Sequence, residues 1–227
     1  MKRLIYVPII HMSADLGSVA KQVNKRGIAG FGEEFWKQHG KTVSGFWDSI
    51  AKYFANLEVK GFKIYQDGMV TDGEIAEKIV EEGIKAGSKN FEIVESLVRK
   101  GAVLIQTEAF SLVKKERDRI VGITQAKTIT PKLIAYFKYV LIKNGLLKRR
   151  DAYIAGRIDE TLNHGETGIL FMGAYHNITP RLLKKVRIIE IKETKKVRGY
   201  QRMLLHSNRN KEKFEELAGY LVSPVSV

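Results

Sequence analysis

Short runs of apolar residues recur along the chain and predict five β-strands. The clearest run spans residues 168–173, where four consecutive apolar residues stand between two glycines. Apolar residues without polar alternation are typical of a strand that is buried on both faces. The predicted strands span residues 3–10, 61–68, 102–108, 168–173 and 186–192.

Between these runs, apolar residues recur at the three- and four-residue spacing of amphipathic helices. Aromatic residues at that spacing, from Phe35 to Phe54, predict one or two helices after the first strand and are expected in the core. Asn144-Gly145 is expected to end one helix before the next begins. Further helices are predicted over residues 72–85, 90–100, 111–119, 131–143, 146–162 and 210–221.

Strands that alternate with helices predict right-handed crossovers and parallel strand pairing. We therefore expect an α/β fold with a mostly parallel central sheet of about five strands, flanked by helices. The 227 residues suffice for one large domain. We expect this domain to cover residues 1–222, with a loose tail at residues 223–227.

The composition excludes several classes of protein. Hydrophobic residues make up 44% of the chain, which is enough for a large core and argues against global disorder. Cysteine is absent, so disulfides and cysteine-based metal or redox sites are excluded. No apolar run is long enough to span a bilayer, and the N-terminus shows no signal-peptide pattern. A cytoplasmic location is therefore expected.

The chain is strongly basic, with a formal net charge of +14. Much of the excess lies between Arg181 and Lys213, which hold twelve Lys or Arg residues against three Glu. Such a segment could contact nucleic acid. It could equally form a lysine-rich, well-hydrated surface, and we favour that interpretation because no nucleic-acid-binding motif accompanies the charge.

Polar residues follow four of the predicted strands at their carboxyl ends. In an open parallel sheet these ends meet along one edge, where ligand sites are found. The residues concerned are His11, Gln66, Asp67, Thr107, Glu108, His176 and Asn177. Two chemistries fit such a set. His11 and His176 could hold a divalent metal ion that activates water, or one histidine could act as a general base that a carboxylate orients. The remaining histidines, His39, His164 and His206, are expected on the surface.

A carboxylate interrupts the apolar face of the helix predicted over residues 146–162. Asp151 falls between Leu147 and Ile154 on that face, where an unpaired charge is costly. Arg150 and Arg157 lie beside this face. Asp151 therefore belongs either to an internal ion pair or to the functional site, and the sequence leaves both alternatives open.

The order of these motifs resembles the TraB and TIKI group, which is related to ChaN-like and erythromycin-esterase-like proteins. That group has a Gly-x-x-His motif after the first strand, a glutamate after the second, an Arg-Asp pair, and a second Gly-x-x-His. Here Gly173 to His176 match the second motif, and Arg150-Asp151 matches the pair. Pro8 replaces the first glycine before His11, and Gln66 stands at the glutamate position. Within that group, the sequence is most similar to a set of prokaryotic proteins of unassigned function.

The resemblance implies a hydrolase-like α/β fold, with metal-dependent peptide hydrolysis in the TIKI members. Because an amide replaces a carboxylate at Gln66, Asp67 or Glu108 would have to supply the acid. Asp67 could do so only if the chain has already left the sheet there, since neighbouring strand residues point to opposite faces.

The leading hypothesis is a hydrolase acting on a small-molecule or peptide substrate. Its expected catalytic residues are His11, Asp67, Glu108 and His176, with His11 and His176 as the metal ligands of the metal-dependent version. Its expected substrate-binding residues are Gln66, Arg150, Asp151, Arg157 and Asn177. The alternatives are a non-catalytic protein that binds a small ligand or nucleic acid, and a buried polar network with a purely structural role.

Overall fold

Five parallel strands form one sheet in the order β3-β2-β4-β1-β5. The structure is a computed structural model, which describes the chain apart from residues 13, 16–19, 126–128, 183–185, 205–209 and 227, and apart from the side chains of residues 120 and 122–144. The strands are β1 (Lys2–Ile9), β2 (Lys63–Gln66), β3 (Val103–Ile105), β4 (Thr167–Gly173) and β5 (Val186–Glu190). The predicted α/β fold with a parallel sheet of about five strands, flanked by helices in a single domain, is confirmed.

Helices cover both faces of the sheet. They are α1 (Ala20–Phe31), α2 (Glu33–Ala55), α3 (Gly73–Lys85), α4 (Lys89–Arg99), α5 (Phe110–Gln125), α6 (Ile129–Thr161), α7 (Thr179–Leu182), α8 (Thr194–Leu204) and α9 (Lys211–Val222). No helix within the described residues is long and apolar enough to cross a membrane.

The two faces of β1 enter two separate cores. Ile5, Val7 and Ile9 face the larger core, which includes the predicted aromatic residues of α2 such as Phe46. Residues at the alternate positions of β1, including Tyr6, face the smaller core, to which the carboxyl half of α6 contributes its apolar face. This alternation follows from the two-residue period of a strand, and it places Tyr6 on the same side of the sheet as α6.

The central strands end level with each other. Ile9 at the end of β1 pairs with Gly173 at the end of β4, and Gln66 of β2 pairs with Phe171. Because these strands run parallel, the segments that follow them emerge at one edge of the sheet.

Strands β2 and β3 are shorter than predicted. They end at Gln66 and Ile105, whereas the apolar pattern placed the strand ends at residues 68 and 108. Asp67 and Glu108 therefore lie in the connecting segments beyond the strands, where strict alternation no longer decides which way a side chain points.

The predicted helix break at Asn144-Gly145 is wrong. Helix α6 runs without interruption from Ile129 to Thr161, and Gly145 is not among the glycines with a positive φ. A glycine costs a helix only about 1 kcal/mol relative to alanine. The helical residues on both sides outweigh that cost.

Helix α8 was not predicted, because its residues were interpreted only as a basic segment. Val197 and Tyr200 stand three residues apart on it and are fully buried. This spacing is a helix signal, although the intervening basic residues lower the mean hydropathy of the segment.

Candidate functional site

Five ionisable side chains meet at the carboxyl edge of the sheet, and we call them the charged cluster. Its members are Asp67, Glu108, Arg150, Asp151 and His176. Asp67 follows β2, Glu108 follows β3, His176 follows β4, and the Arg-Asp pair lies on α6. All five were predicted as site residues, and the fold brings them together on the α6 side of the sheet.

Arg150 is the cation that joins the carboxylates of the cluster. Its Nη2 donates to Asp67 Oδ1 at 2.8 Å, and its Nε and Nη2 donate to the two carboxylate oxygens of Glu108. Its Nη1 donates to Glu116 of α5, a partner that the sequence did not indicate. The Glu108 side chain is only 1% exposed. The bidentate contact between Arg150 and Glu108 is therefore shielded from water, and charge-assisted hydrogen bonds are strongest in such an environment.

Asp67 and Glu108 differ in their readiness to ionise. Burial raises the pKa of Glu108, and the negative charge of Asp67 raises it further, against the lowering effect of Arg150. Burial would also raise the pKa of Asp67, but the charges of His176, Arg150 and His11 lower it well below its usual range. Two neighbouring carboxyls cannot both ionise easily. The pKa of Asp67 is therefore shifted downward and that of Glu108 upward, while both carboxylates accept hydrogen bonds from Arg150.

Two glycines allow the close approach of these groups. Gly173 N–H donates to Asp67 Oδ2 at 3.0 Å, and a Cβ at Gly173 would lie 3.0 Å from that oxygen and 3.6 Å from His176 Cδ2. Gly68 has a φ of +77° and donates its N–H to Glu108 Oε1 at 2.8 Å. A side chain at Gly173 would crowd the carboxylate and the imidazole, and one at Gly68 would strain the turn.

His176 and Asp151 form a buried pair. His176 Nδ1 lies 2.6 Å from Asp151 Oδ1, and the other oxygen of Asp151 accepts the backbone N–H of Asn177 at 3.1 Å. Burial lowers the pKa of His176, but the hydrogen bond to Asp151 and the charge of Asp67 raise it by more, so the net shift is upward. Asp151 was expected either in an internal ion pair or in the functional site. It has both positions, because the partner in its internal pair is His176 of the candidate site.

The second nitrogen of His176 is available for chemistry. No residue that the structure describes forms a hydrogen bond with Nε2. The adjacent ring carbon, Cδ2, lies beside Gly173 and therefore on the side of the Asp67 carboxylate. An imidazole held by a carboxylate at Nδ1, with Nε2 unused, has the arrangement of an oriented proton-transfer group.

Arg198 of α8 holds the turn that presents His176. Its Nη2 donates to the carbonyl oxygen of His176 at 2.9 Å, and its Nε donates to the carbonyl oxygen of Ala174. The sequence did not indicate this role, because Arg198 was counted with the basic surface residues.

Tyr6, like Glu116 and Arg198, is a residue that the sequence did not indicate. It is 2% exposed on the α6 side of β1. Burial raises its pKa well above the usual range, Arg198 lowers it, and the charges of Glu190, Asp67 and Asp151 raise it further. The hydroxyl therefore stays protonated near the charged cluster and can act as a hydrogen-bond donor.

His11 lies at the border of the cluster and is far more exposed. Its side chain is 47% exposed, and its Nδ1 lies 3.9 Å from Asp15 Oδ2. Asp15 is itself held by the backbone N–H of Met12 at 2.6 Å and by the hydroxyl of Ser88. The charge of His11 contributes to the low pKa of Asp67, so His11 acts on the cluster without entering it.

The predicted metal ligands His11 and His176 are not joined by a third ligand among the residues that the structure describes. Within the described part of the chain, no group of three or more His, Asp or Glu side chains is arranged to hold a metal ion. The carboxylate oxygens of Asp67 and Glu108 are already engaged by Arg150 and by backbone N–H groups. In this cluster the guanidinium occupies the place that a cation would need.

Three predicted substrate-binding residues lie apart from the charged cluster or contribute no side chain to it. Gln66 faces the opposite side of β2, and its buried Oε1 has no hydrogen-bond partner among the residues that the structure describes. Arg157 donates to the carbonyl oxygen of Gln106 at 3.3 Å and to Glu160 at 3.1 Å. Asn177 has an exposed side chain and contributes its backbone N–H.

The other histidines lie in different environments. His164 is exposed, as predicted, and its Nε2 lies 2.8 Å from the N-terminal amine. His39 is half-buried against Tyr200, so the prediction of a surface position was wrong for it. His206 lies outside the described residues.

Several charges of the segment from Arg181 to Lys213 are engaged inside the molecule. Lys192 is buried and donates to the carbonyl oxygen of Ser223 at 2.6 Å, and Arg198 holds the turn described above. Ion pairs with nearby glutamates engage Lys196, Lys211 and Lys213. These contacts account for part of the positive charge, and binding of nucleic acid stays a prediction.

The structure thus defines a parallel α/β protein with a buried charged cluster at the carboxyl edge of its sheet. Comparisons of the chain with protein-family models, with curated proteins and with solved structures find no match. The resemblance to the TraB and TIKI group therefore stays a prediction.

Proposed function

We propose that the protein is a hydrolase that cleaves a small carbonyl substrate, such as an ester, lactone or amide, by metal-independent proton transfer. The observation that carries this proposal is the buried Asp151–His176 pair, with 2.6 Å between Oδ1 and Nδ1 and with no described partner at Nε2. A carboxylate at Nδ1 fixes the orientation of the ring and stabilises the imidazolium that forms on proton uptake. Nε2 is then the atom that removes the proton from an attacking water.

The ionised Asp67 supports the same step. Its negative charge raises the pKa of His176, which makes the imidazole a stronger base. Arg150 holds Asp67 in place through Oδ1, and Gly173 N–H does so through Oδ2. Asp67 and Asp151 together stabilise the positive charge that His176 gains in the transition state, which is the charge development that lowers the barrier.

Tyr6 is the group best suited to stabilise the negative charge that develops on the substrate during hydrolysis. Its pKa is raised well above the usual range, so its hydroxyl remains a donor throughout the pH range of the reaction. The negative charge that develops on the carbonyl oxygen during hydrolysis needs such a donor. We assign that role to Tyr6, and we assign to the more exposed His11 a contact with the substrate.

The experiment compares hydrolysis of p-nitrophenyl acetate, dihydrocoumarin and an amino-acid p-nitroanilide by the purified protein, with and without EDTA. The wild-type protein should hydrolyse at least one of these probes, and EDTA should leave the rate unchanged. His176→Gln should lower kcat by about 10²- to 10⁴-fold, which is the usual contribution of a general base. Its midpoint of thermal unfolding should remain close to that of the wild type.

The matched control is His164→Gln, which removes an exposed histidine outside the charged cluster. This variant should retain the wild-type rate. Full activity of His176→Gln, or activity that EDTA removes and a divalent metal restores, would contradict the proposal. Failure to hydrolyse all three probes above the rate of His176→Gln would also contradict it.

A further inference from the structure

A pocket of about 170 Å³ lies beside His11, between α1, α2 and the segment after β1. We call it the two-histidine pocket, because His11 and His39 both line it. The apolar side chains that line it include Val23, Trp36 and Val43. No Asp or Glu among the described residues lines it, so the lining offers no acidic partner to a cation, and its apolar side chains favour an apolar group.

His39 is held rigidly in the wall of this pocket. Its Nδ1 lies 2.8 Å from the hydroxyl of the buried Tyr200, and its ring lies between the rings of Trp36 and Tyr200, with centroid distances of 5.1 and 5.8 Å. Burial lowers the pKa of His39 to about 4, so the ring is neutral at neutral pH. Burial also raises the pKa of Tyr200 to about 12, against the lowering effect of its hydrogen bond with Thr42, so its hydroxyl keeps its proton and can either donate to Nδ1 or accept from it.

In a neutral imidazole one ring nitrogen donates and the other accepts, so Nε2 of His39 offers a ligand an N–H when Nδ1 accepts from Tyr200 and a lone pair when Nδ1 donates to it. No residue that the structure describes forms a hydrogen bond with Nε2 of His39. The charged cluster does not use this histidine, and its hydrogen bond to the buried Tyr200 engages Nδ1 but not Nε2. The two-histidine pocket therefore combines an apolar wall with two imidazole rings, one of which, His39, has a ring nitrogen without a described partner, and this is the usual composition of a small-molecule site.

The volume of the pocket suits a single ring. An apolar cavity of about 150 Å³ inside a protein holds one benzene molecule. A pocket of about 170 Å³ accommodates a phenyl ring or a branched alkyl group of similar size, with a carbonyl oxygen directed to His39.

We propose that the two-histidine pocket binds an uncharged aromatic or branched apolar group that carries a hydrogen-bond acceptor, and that His39 binds this acceptor through Nε2–H while its Nδ1 accepts from Tyr200. His11 lines this pocket and also acts electrostatically on Asp67, so this side chain links the pocket to the charged cluster. If the proposed hydrolase function holds, the bound group is the apolar part of the substrate, and its scissile carbonyl lies towards Asp67 and His176. Binding itself does not depend on that function.

The test uses acetophenone, which has a ring and an acceptor but no bond that a hydrolase can cleave. Trp36 and Trp47 are the only tryptophans, so a proton–nitrogen NMR spectrum shows one indole N–H signal from the pocket wall and one internal reference. Trp47 donates to the carbonyl oxygen of Ile10 at 3.1 Å and does not line the pocket. Acetophenone should shift the Trp36 signal saturably in the millimolar range, with a much smaller effect on Trp47.

Two variants separate the contributions of space and hydrogen bonding. Gly40 lines the pocket, and a Cβ there meets no other atom within 4 Å, so Gly40→Leu should fill the pocket and abolish the shift. Gly219→Leu, at another helical glycine with open space, is the matched control and should bind normally. His39→Phe should weaken acetophenone binding by roughly five- to tenfold, as expected for one hydrogen bond, and should leave binding of toluene unchanged.

A saturable Trp36 shift that Gly40→Leu abolishes supports the pocket. No saturable shift, or an equal shift in Gly40→Leu, overturns it. Equal affinity of His39→Phe and the wild type for acetophenone overturns the role of His39, and this result does not require Gly40→Leu to fold. Because His176→Gln should bind acetophenone normally, loss of hydrolase activity and loss of binding remain separate outcomes.

Discussion

His176 shows how neighbouring charges can set the behaviour of one side chain. Burial alone would lower its pKa, yet Asp151 and Asp67 shift it upward. The ring is therefore protonated at low pH and becomes a base only as the pH rises through a value above the usual 6.5. If His176 is the general base, activity should fall as the pH drops through that raised pKa.

Asp151→Asn should move this pH dependence. The amide removes the negative charge that favours imidazolium, so the pKa of His176 should fall and the acidic limb of the rate profile should shift to lower pH. Loss of the oriented ring should also lower kcat by about 10²-fold. The measurements are a pH–rate profile and an NMR titration of the His176 ring.

Asp118→Asn is a suitable control, because Asp118 pairs with Lys114 on an exposed helix face. It should leave both the rate profile and the titration unchanged. If the acidic limb of the pH–rate profile of Asp151→Asn has its midpoint at the same pH as in the wild type, or at a higher pH, the assignment of His176 as the base is contradicted.

At the scale of secondary structure, helix α6 decides the geometry of the cluster. Arg150 and Asp151 are neighbours on this helix, about 100° apart around its axis. The Arg150 side chain therefore contacts the segments after β2 and β3, while the Asp151 side chain contacts the segment after β4. A break at Gly145 would have given the carboxyl half of α6 an independent direction.

Gly145→Ala tests the continuity of α6. The glycine is exposed in a helical segment, and a Cβ there meets no other atom within 4 Å. Alanine should raise the free energy of unfolding by about 1 kcal/mol, because it restricts the unfolded chain and favours the helix. Denaturant unfolding measures the change.

Gly101→Ala supplies the contrast, because Gly101 has a φ of +91° and alanine is strained in that conformation. This variant should be less stable than the wild type. Destabilisation by Gly145→Ala as well would indicate that α6 is interrupted where the sequence pattern first placed the break.

At the scale of the whole molecule, the ion pairs of Arg150 connect four segments of the chain. Arg150 lies on α6. Its partners are Asp67 in the segment after β2, Glu108 in the segment after β3, and Glu116 on α5. Buried ion pairs are not necessarily more stable than apolar contacts, but removal of one partner leaves the others charged and unpaired. The stability of this edge of the fold therefore depends on a single guanidinium.

Arg150→Met should lower the free energy of unfolding by about 3–5 kcal/mol, as is typical when one partner of a buried ion pair is removed. Chemical denaturation at neutral pH measures the loss. Arg149→Met is the neighbouring control, because Arg149 is exposed, and its effect should stay within about 0.5 kcal/mol. Equal stability of the two variants would show that Arg150 does not carry this role.

Much of the candidate site could be predicted from the ends of the strands. Asp67, Glu108 and His176 follow apolar runs, and parallel strands bring such positions to one edge. The contributions of Arg198 and Tyr6 could not be predicted. Neither a basic residue on a helix, such as Arg198, nor an apolar residue within a strand, such as Tyr6, has a sequence pattern that indicates its function. The pairing of His176 with Asp151, rather than with His11, depends on the path of α6.

The sequence by itself determined the α/β class, the order of the strands along the chain and the polar residues that follow them. Hydrophobic periodicity is a local property, and it indicates which faces must be buried whatever their partners are. Only the tertiary structure decided which charges meet. That outcome depends on where each strand ends, on the unbroken course of α6 and on the desolvation that makes the pairings of Arg150 and His176 strong.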